Sequence, residues 1–570
     1  MKKIFINVFI LIFSLLVLGL FIYLGQFFTK LRYNNKTSLS SLDSAYQISL
    51  KDWGDTLNNI NNSSSPSFWN DFDFLSRFAS EIKLKDTFGL MANDYQTIAN
   101  GGLISAILNN QENALQPLAE LLQSLKLLEN YHLNFVAPLE YQIQNWLTFL
   151  GYEHPTTYLL VFQDTNIPRP TGGFLGGYGL LSFNKGKMSL KGDSIFDLDD
   201  LFLDKIVPPE ELRSISNKWF THDANWFFDF PQTSKKLLDF YQKTGLTPSS
   251  LDGVIAINDS VISSLLNLTG PLPLQDYGLT IDANNFESFF NQQITNASQF
   301  SSSEGREVFT EFLSVLFKHL QTLSQSQLES FQKILADGLS HKDLQIYSTN
   351  DQLEYYFDSL DWSGKILDGQ DDYLAVVFND LNKNFLLDRR SKDIQLETNI
   401  SSSTVTDTLT IKSQFSNYSE KNLETYLQIY LPQGTTLINV SGGYLANINK
   451  SWPYDKLNYQ KDSDLSTFEN KTITDETKGV KISEIGQKTV ISTWAKLGAE
   501  PLVLTYQFPL INNNFDHWQI QIQKQSGQNI SFAYNLLLPP DKKIAPTLFV
   551  FKKPIPLDQD WLLNFDIKSL

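Results

Sequence analysis

The sequence predicts a multidomain chain: an N-terminal transmembrane helix, a helical stalk, an α/β core domain and a C-terminal β-sandwich of the immunoglobulin-like class. Three observations predict it. A charge-free apolar run stands near the start, strands alternate with helices from Thr157 onward, and beyond Asp393 only strand patterns remain. A length of 570 residues is too great for one compact core. The composition, 42% hydrophobic and 19% charged, has apolar material for several cores.

The first element is the apolar run. Ile4 to Phe28 carries no charge. At about 1.5 Å per residue it is long enough for a roughly 30 Å hydrocarbon core. It continues to Phe27-Phe28 without the small residues of a cleavage site, and Lys30 and Arg32 follow, which favours an uncleaved anchor. Lys2 and Lys3 favour a cytoplasmic N-terminus, although Lys30, Arg32 and Lys36 weigh against that orientation. Residues 1–33 are therefore expected to be cytoplasmic tip and anchor. The expected location is the cell membrane, single-pass, with the bulk of the chain extracytoplasmic and the cytoplasmic membrane as a partner.

Residues 34–151 read as the helical stalk. Asn61-Asn62-Ser63-Ser64-Ser65-Pro66 breaks it. Further on, Leu118, Leu121, Leu122, Leu125 and Leu128, then Trp146, Leu147 and Phe149, recur at three- and four-residue spacing. Residues 152–392 read as the α/β core. Tyr158 to Phe162 is a buried strand, and Gly176 to Phe183 pairs with Lys187 to Leu190 across Asn184-Lys185-Gly186. Pro231 to Thr244 is a helix with proline early and Gly245 just past its end. Gly253 to Ile257 is a second buried strand, after which Asp259 or Ser260 caps a helix carrying Val261, Leu265, Leu266 and Leu268. Helical patterns run from Phe286 to Leu360, and Tyr373 to Phe378 is expected to return to the same sheet. Residues 393–570 hold seven short strand patterns, from Ile394 to Ile400 through Ser531 to Leu538, hence the sandwich.

Charge and composition exclude some functions. With 45 basic against 62 acidic residues the net charge is −17, which argues against a nucleic-acid partner because phosphates need a basic face. Without cysteine there is no disulfide, thiol nucleophile or thiolate metal site, and six scattered histidines show no ligand spacing.

Chemistry concentrates between Arg169 and Asp259. Arg169-Pro170-Thr171-Gly172-Gly173 puts an arginine beside a glycine loop after a strand. Gly172 and Gly173 allow close backbone approach to a ligand, and the guanidinium offers a planar fork for phosphate. The same residues also fit a glycine-rich turn with a surface arginine. Asp193, Asp197, Asp199, Asp200 and Asp204 fit either a hard cation such as Mg²⁺ or a solvated acidic loop. Asp223, Asn225 and Asp229 interrupt large aromatics before a helix, so they either cap it or line a pocket.

Arg-Pro-Thr-Gly-Gly-Phe (Arg169 to Phe174), Asp-Ala-Asn-Trp-x-x-Asp-Phe-Pro (Asp223 to Pro231) and Asp-Gly-Val-Ile-Ala-Ile-x-Asp (Asp252 to Asp259) resemble a bacterial membrane-anchored family catalogued as domain of unknown function 4012. Where that family tends to have a glutamate before the arginine, this chain has Ile167-Pro168. More distantly, Gly253 to Ile257, the helix after it and Thr269-Gly270-Pro271 resemble the closing part of the LytR-CpsA-Psr domain. That resemblance implies a polyprenyl-pyrophosphate-linked glycopolymer or a cell-wall glycan as partner. On the reading of a phosphate or lipid-pyrophosphate site, Arg169, Thr171, Gly172, Gly173, Asn225 and Asp229 are expected to bind the ligand, Arg169 and Asp223 to be catalytic, and Asp193 and Asp223 to hold Mg²⁺ or act as base. Thr171 stands where those enzymes carry an aspartate. Two functions are therefore expected to compete: an envelope protein that binds a lipid-linked, glycan or phosphate ligand or acts as a scaffold, and a glycopolymer phosphotransferase.

Overall fold

The computed structural model describes residues 102–128, 136–299, 306–368, 371–381, 388–401, 403–414, 423–448, 452–498, 500–510, 516–545 and 554–569. The expected anchor, residues 4–28, and the first part of the expected stalk lie outside them. Among the described residues no helix is long and apolar enough to cross a membrane. The longest has 16 residues, short of the roughly 20 a span requires. The expectation of a single-pass membrane protein is corrected to that extent: the described residues supply no span. The fold is a mixed α/β structure with several sheets.

The first sheet has five strands: β1 (Thr156–Arg169), β2 (Gly172–Asn184), β3 (Lys187–Ser194), β4 (Gly253–Asn258) and β5 (Leu344–Ser348). They stand in the order β3-β2-β1-β4-β5. Only β1 and β4 run parallel, and the other neighbours are antiparallel. β1 and β4 are buried along almost their whole length, as central strands covered on both faces must be. Helices α1 (Gly102–Leu108), α2 (Gln116–Leu128) and α3 (Val136–Phe149) precede the sheet. α4 (Ile195–Leu201), α5 (Phe230–Lys243), α6 (Asp259–Thr269), α7 (Phe286–Gln299), α8 (Glu307–Gln321), α9 (Gln325–Ser340) and α10 (Asp351–Ser359) are threaded through it. The caps follow from sequence: Asp229 accepts from Gln232 N at the start of α5, and Asn350 accepts from Gln352 N and Leu353 N at the start of α10.

The described helices before the sheet are no stalk. Leu118, Leu125, Trp146 and Phe149 belong to the same apolar core as Tyr158, Phe183 and Phe357. Phe149 stacks on Tyr158 with ring centroids 4.5 Å apart. The apolar face read from the spacing is correct, and what it packs against is the sheet.

The second half is two sheets packed face to face, and it departs from an immunoglobulin-like sandwich. β6 (Asp372–Asn379), expected to rejoin the first sheet, instead lies in a nine-stranded sheet. There it stands between β9 (Thr425–Pro432), antiparallel, and β14 (His517–Gln523), parallel. The same sheet holds β11 (Val480–Ile485), β12 (Lys488–Ala495) and β16 (Trp561–Ser569). The facing six-stranded sheet contains β7 (Ser391–Ile400), β8 (Thr404–Gln414), β10 (Thr436–Ser441), β13 (Leu502–Pro509) and β15 (Ile530–Leu537). β7 and β15 pair in parallel. A helix, α11 (Ser463–Asn470), interrupts the strand-only pattern. Period-2 patterns identified most of these strands, but pairing partners in a two-sheet unit are long-range and leave no local mark.

A polar row crosses the interior of this unit. On the six-stranded sheet Asp407 stands opposite Thr398 on one side and Tyr506 on the other. All three are fully buried. Burial pushes the Asp407 carboxyl up to about 7, partly offset by the Thr398 and Tyr506 hydroxyls. Burial and then the charge of Asp407 push Asp372 well above the usual carboxylate range. A folded-state pKa raised in this way contributes stability that is present below the unfolded value of about 4. That stability is lost as pH rises through about 7. Asp407→Asn keeps the shape and removes the ionisation. Thermal melts should therefore show the variant more stable than the parent above pH 7, with a flatter pH slope below it.

Candidate functional site

The glycine loop sits where β1 leaves its regular register. Asp164 stands opposite Phe174 but Pro168 opposite Gly173, so Thr165, Asn166 and Ile167 bulge from the ladder. The bulge requires the glycines. A Cβ on Gly173 would lie 2.0 Å from the Asp164 carbonyl oxygen. Gly172 has φ 145°, and a Cβ there would lie 2.7 Å from Asn258 Oδ1.

Arg169, the expected phosphate ligand, is 2% exposed. Its Nη2 donates to Asp223 Oδ1 at 3.1 Å, and its Nη1 donates to the carbonyls of Asp380 and Pro168. The guanidinium carbon lies 5.4 Å from the centroid of the Phe174 ring. Asp223 is held on its other side by His222 Nε2 at 3.3 Å, and His222 Nδ1 meets Asp199 Oδ2 at 2.5 Å. The result is a closed chain of alternating charge, Asp199, His222, Asp223, Arg169.

The electrostatics follow from that alternation. Burial pushes the His222 imidazole down, but the carboxylates of Asp199 and Asp223 outweigh it and lift the pKa to about 10. Burial pushes Asp223 up, and His222 and Arg169 overturn that, leaving it at about 2. His222 also lies in an aromatic cage, stacked on Phe220 at 5.3 Å and tilted against Phe174 and Phe196.

The remaining expected site residues are built into the frame. Thr171 Oγ1 donates to Gln163 Oε1 at 3.0 Å. Asn225, fully buried, donates to the Gly173 carbonyl at 2.8 Å. Asp229 caps α5 and also accepts from Ile366 N at 2.9 Å. Asp193 accepts from Thr310 and has Lys191, Asp197 and Glu307 as charged neighbours, a set separate from that of Asp223. The expected Mg²⁺ pair of Asp193 and Asp223 is thus not assembled. Among the described residues no group of three or more His, Cys, Asp or Glu side chains is placed to hold a metal ion. Part of the acidic run is paired: Arg306 Nη1 binds Asp197 at 2.6 Å and the exposed Asp200 at 2.7 Å.

Several residues of this network had no conspicuous sequence signal. Gln163 bridges Thr171, Asn258 and Asn225. Gln525, from the loop after β14, donates to the Arg169 and Phe378 carbonyls and accepts from Phe378 N. Ser526 accepts from Asn258, and Gln528 donates to the Thr165 carbonyl. Asp164 and Asp259 form a second buried group, joined by Asn166 and Thr165. Burial raises Asp164 to about 6. Burial and the charge of Asp164 raise Asp259 to about 8.

Open space lies elsewhere. One cavity of about 330 Å³ runs between α5 and the segment entering α11. Its charges are largely paired, Lys236 with Asp462 and Asp464, Lys243 with Asp239. A second, of about 240 Å³, is lined by Tyr426, Trp494, Asn447, Glu210, Glu211, Glu476 and Lys481 among others.

Fold and network together describe a mixed α/β protein whose motif residues fasten two units to each other. Residues 153–294, roughly a quarter of the chain, match the model of a family described as protein of unknown function (DUF4012). The match takes in Arg169, Gly172, Gly173, Asp223, Asn225, Asp229 and the β4 motif. No curated protein and no solved structure matches the chain, so the LytR-CpsA-Psr likeness remains one of short motifs alone.

Removing one partner of a buried pair leaves an uncompensated charge. Arg169→Ala should therefore cost roughly 3–5 kcal/mol in chemical denaturation, and Arg169→Lys should recover only part of it. The pH dependence has two limbs. The His222 contribution is present below about 6.5 and lost as pH rises through about 10. The Asp223 contribution is present above about 3.9 and lost as pH falls through about 2. Melting temperatures across that range should show His222→Gln flattening the alkaline limb.

Proposed function

We propose that the protein is a non-catalytic scaffold that binds a glycan. The observation that carries this reading is the burial of Arg169: its charge is committed to Asp223, its Nη1 to the Asp380 and Pro168 carbonyls, and its Nε is buried, so no fork is presented to phosphate. The Asp199-His222-Asp223 series also lacks what base catalysis needs. An imidazole held at about 10 stays protonated at neutral pH, where a general base must be free to accept a proton. The glycan side of the reading rests on the second cavity, where the polar side chains of Asn447 and Thr474 are exposed. Amide and hydroxyl groups of this kind suit the hydroxyl rim of a sugar.

The alternative, transfer of glycopolymer from a polyprenyl pyrophosphate, requires the Arg169 guanidinium to be released from Asp223. Thermal melts of the full chain with and without a polyprenyl pyrophosphate in detergent separate the two. The scaffold reading expects no shift for the parent protein and a lowered melting temperature for Arg169→Ala regardless of lipid. Saturable protection that disappears in Arg169→Ala would establish the transferase-type site instead.

A further inference from the structure

Two buried carboxylates stand at the junction of the two units. Asp164 of β1 and Asp259 at the start of α6 are 1% and 7% exposed. Asn166 Nδ2 donates to Asp164 Oδ1 and to Asp259 Oδ2, each at 3.3 Å. Thr165 Oγ1 donates to Asp259 Oδ1 at 2.7 Å, and Asn166 N to Asp164 Oδ1 at 3.1 Å. Among the described residues neither carboxylate is ion-paired, and the charges that act on them are negative: Glu287 on Asp164, and Asp164 and Asp343 on Asp259.

The surrounding charges are spent elsewhere. α7 presents Asn291, which donates to Asp164 Oδ2 at 3.4 Å, and Glu287, which is bound by Arg389 of the second unit. The turn before β5 presents Asp343, bonded to Asn258 Nδ2 at 3.0 Å, and Lys342, held by Asp560. From the second unit, Asp388 commits its carboxylate to Arg390 and Lys392, Asp380 lies near Lys392, and Lys524 donates to the His341 carbonyl.

The side chains that hold the pair belong to the β1 bulge, and the main chain of the same bulge holds the second unit. Asp388 N donates to the Asn166 carbonyl at 2.7 Å, and Asp380 N to the Pro168 carbonyl at 2.9 Å. Gln528 Nε2 donates to the Thr165 carbonyl at 3.2 Å. Thr165 also packs on Gly527, where a Cβ would lie 2.5 Å from its Cγ2. Two like charges in a desolvated site ionise together only at a cost, so the pair retains a proton that either carboxylate alone in water would lose.

We propose that the Asp164–Asp259 pair is a pH-sensitive latch on the junction: while it holds a proton the bulge keeps the Thr165 and Asn166 carbonyls on the second unit, and when that proton leaves to solvent the repulsion displaces the bulge and loosens the contact. The folded-state values, about 6 for Asp164 and about 8 for Asp259, are both raised above the ordinary value of about 4. The contribution of the pair is therefore complete below about 4 and lost as pH rises through about 6 and about 8. The junction is tight in acid and loosens in alkali. The latch is independent of the glycan reading.

Hydrogen exchange of the full chain, read by mass spectrometry and corrected for the base-catalysed intrinsic rate, tests it at the Asp380 and Asp388 amides. In the parent, protection there should fall about tenfold between about pH 6 and pH 9. Asp259→Asn keeps an oxygen for Thr165 and cannot ionise, so its protection should change less than about twofold over the same range. Asp164→Asn is the second variant and should behave alike. The Asp407 row titrates nearby, at about 7, but neither substitution touches it, so the difference from the parent reports the pair. Parent protection that stays flat over this range would overturn the proposal without any variant. So would a fall of the parent's size in both variants.

Discussion

The constraint on which the rest of the structure depends is the burial of the Arg169 charge at the meeting point of the two units. A guanidinium taken out of water is tolerable only when its charge is met, and here Asp223 meets the charge and the Asp380 and Pro168 carbonyls take Nη1, while the buried Nε is left without a partner among the described residues. Those partners come from distant parts of the chain. Asp223 belongs to the segment before α5, and Asp380 follows β6 of the nine-stranded sheet. Gln525 then joins Arg169 O to β6 through the Phe378 main chain. The ion pair, the bulge that presents it and the loop that covers it form one network, so none of the three has an evident role without the others.

The nine-stranded sheet is the layer both units share. One face supplies Leu374, Val376, Leu427 and Ile429 to the core between the two sheets. On the other, Tyr373, Val377 and Tyr430 pack with Phe228. Tyr426 and Tyr430, on the same side of β9, meet Trp226 at 5.9 Å and Phe228 at 5.2 Å. Such aromatic pairs contribute roughly 0.5–1.5 kcal/mol each beyond their burial. The Trp226-Phe227-Phe228 stretch, which in isolation resembles a pocket lining, is therefore the apolar half of the same junction that Asp223 and Arg169 hold by charge.

Local features were legible in the sequence, and long-range ones were not. β1, β4, the β2–β3 hairpin and α5 with its Asp229 cap follow from apolar runs, turn residues and caps that act within a few positions, and so does α6, although its N-cap is Asn258 rather than Asp259 or Ser260. The glycine loop was legible as a place of close approach, but what approaches Gly173 is the Asp164 carbonyl of its own strand rather than a ligand. The capping role of Asp229 was one of the two readings open to it, and the structure selects it. Hidden from the sequence were the sheet that β6 joins, the role of Gln525, and the partnership of Glu210 and Glu211 with Lys481, some 270 residues away in the chain. None of these has a periodicity or a spacing, because each depends on how two units dock.

The same docking explains why the charged motif and the open cleft are different places. Groups drawn together at the junction satisfy one another: Arg169 with Asp223, His222 with two carboxylates, Asn225 with the Gly173 carbonyl. The atoms of this network left without a partner among the described residues, Arg169 Nε, Asn225 Oδ1 and Thr221 Oγ1, are themselves buried, so its charges are spent on one another rather than presented outward. The cleft lined by Tyr426, Trp494 and Glu476 lies farther along the same interface, with Glu476 exposed and the two rings buried. The conspicuous arginine thus organises the interface, and the cleft lies where residues with no conspicuous pattern are brought together by the same docking.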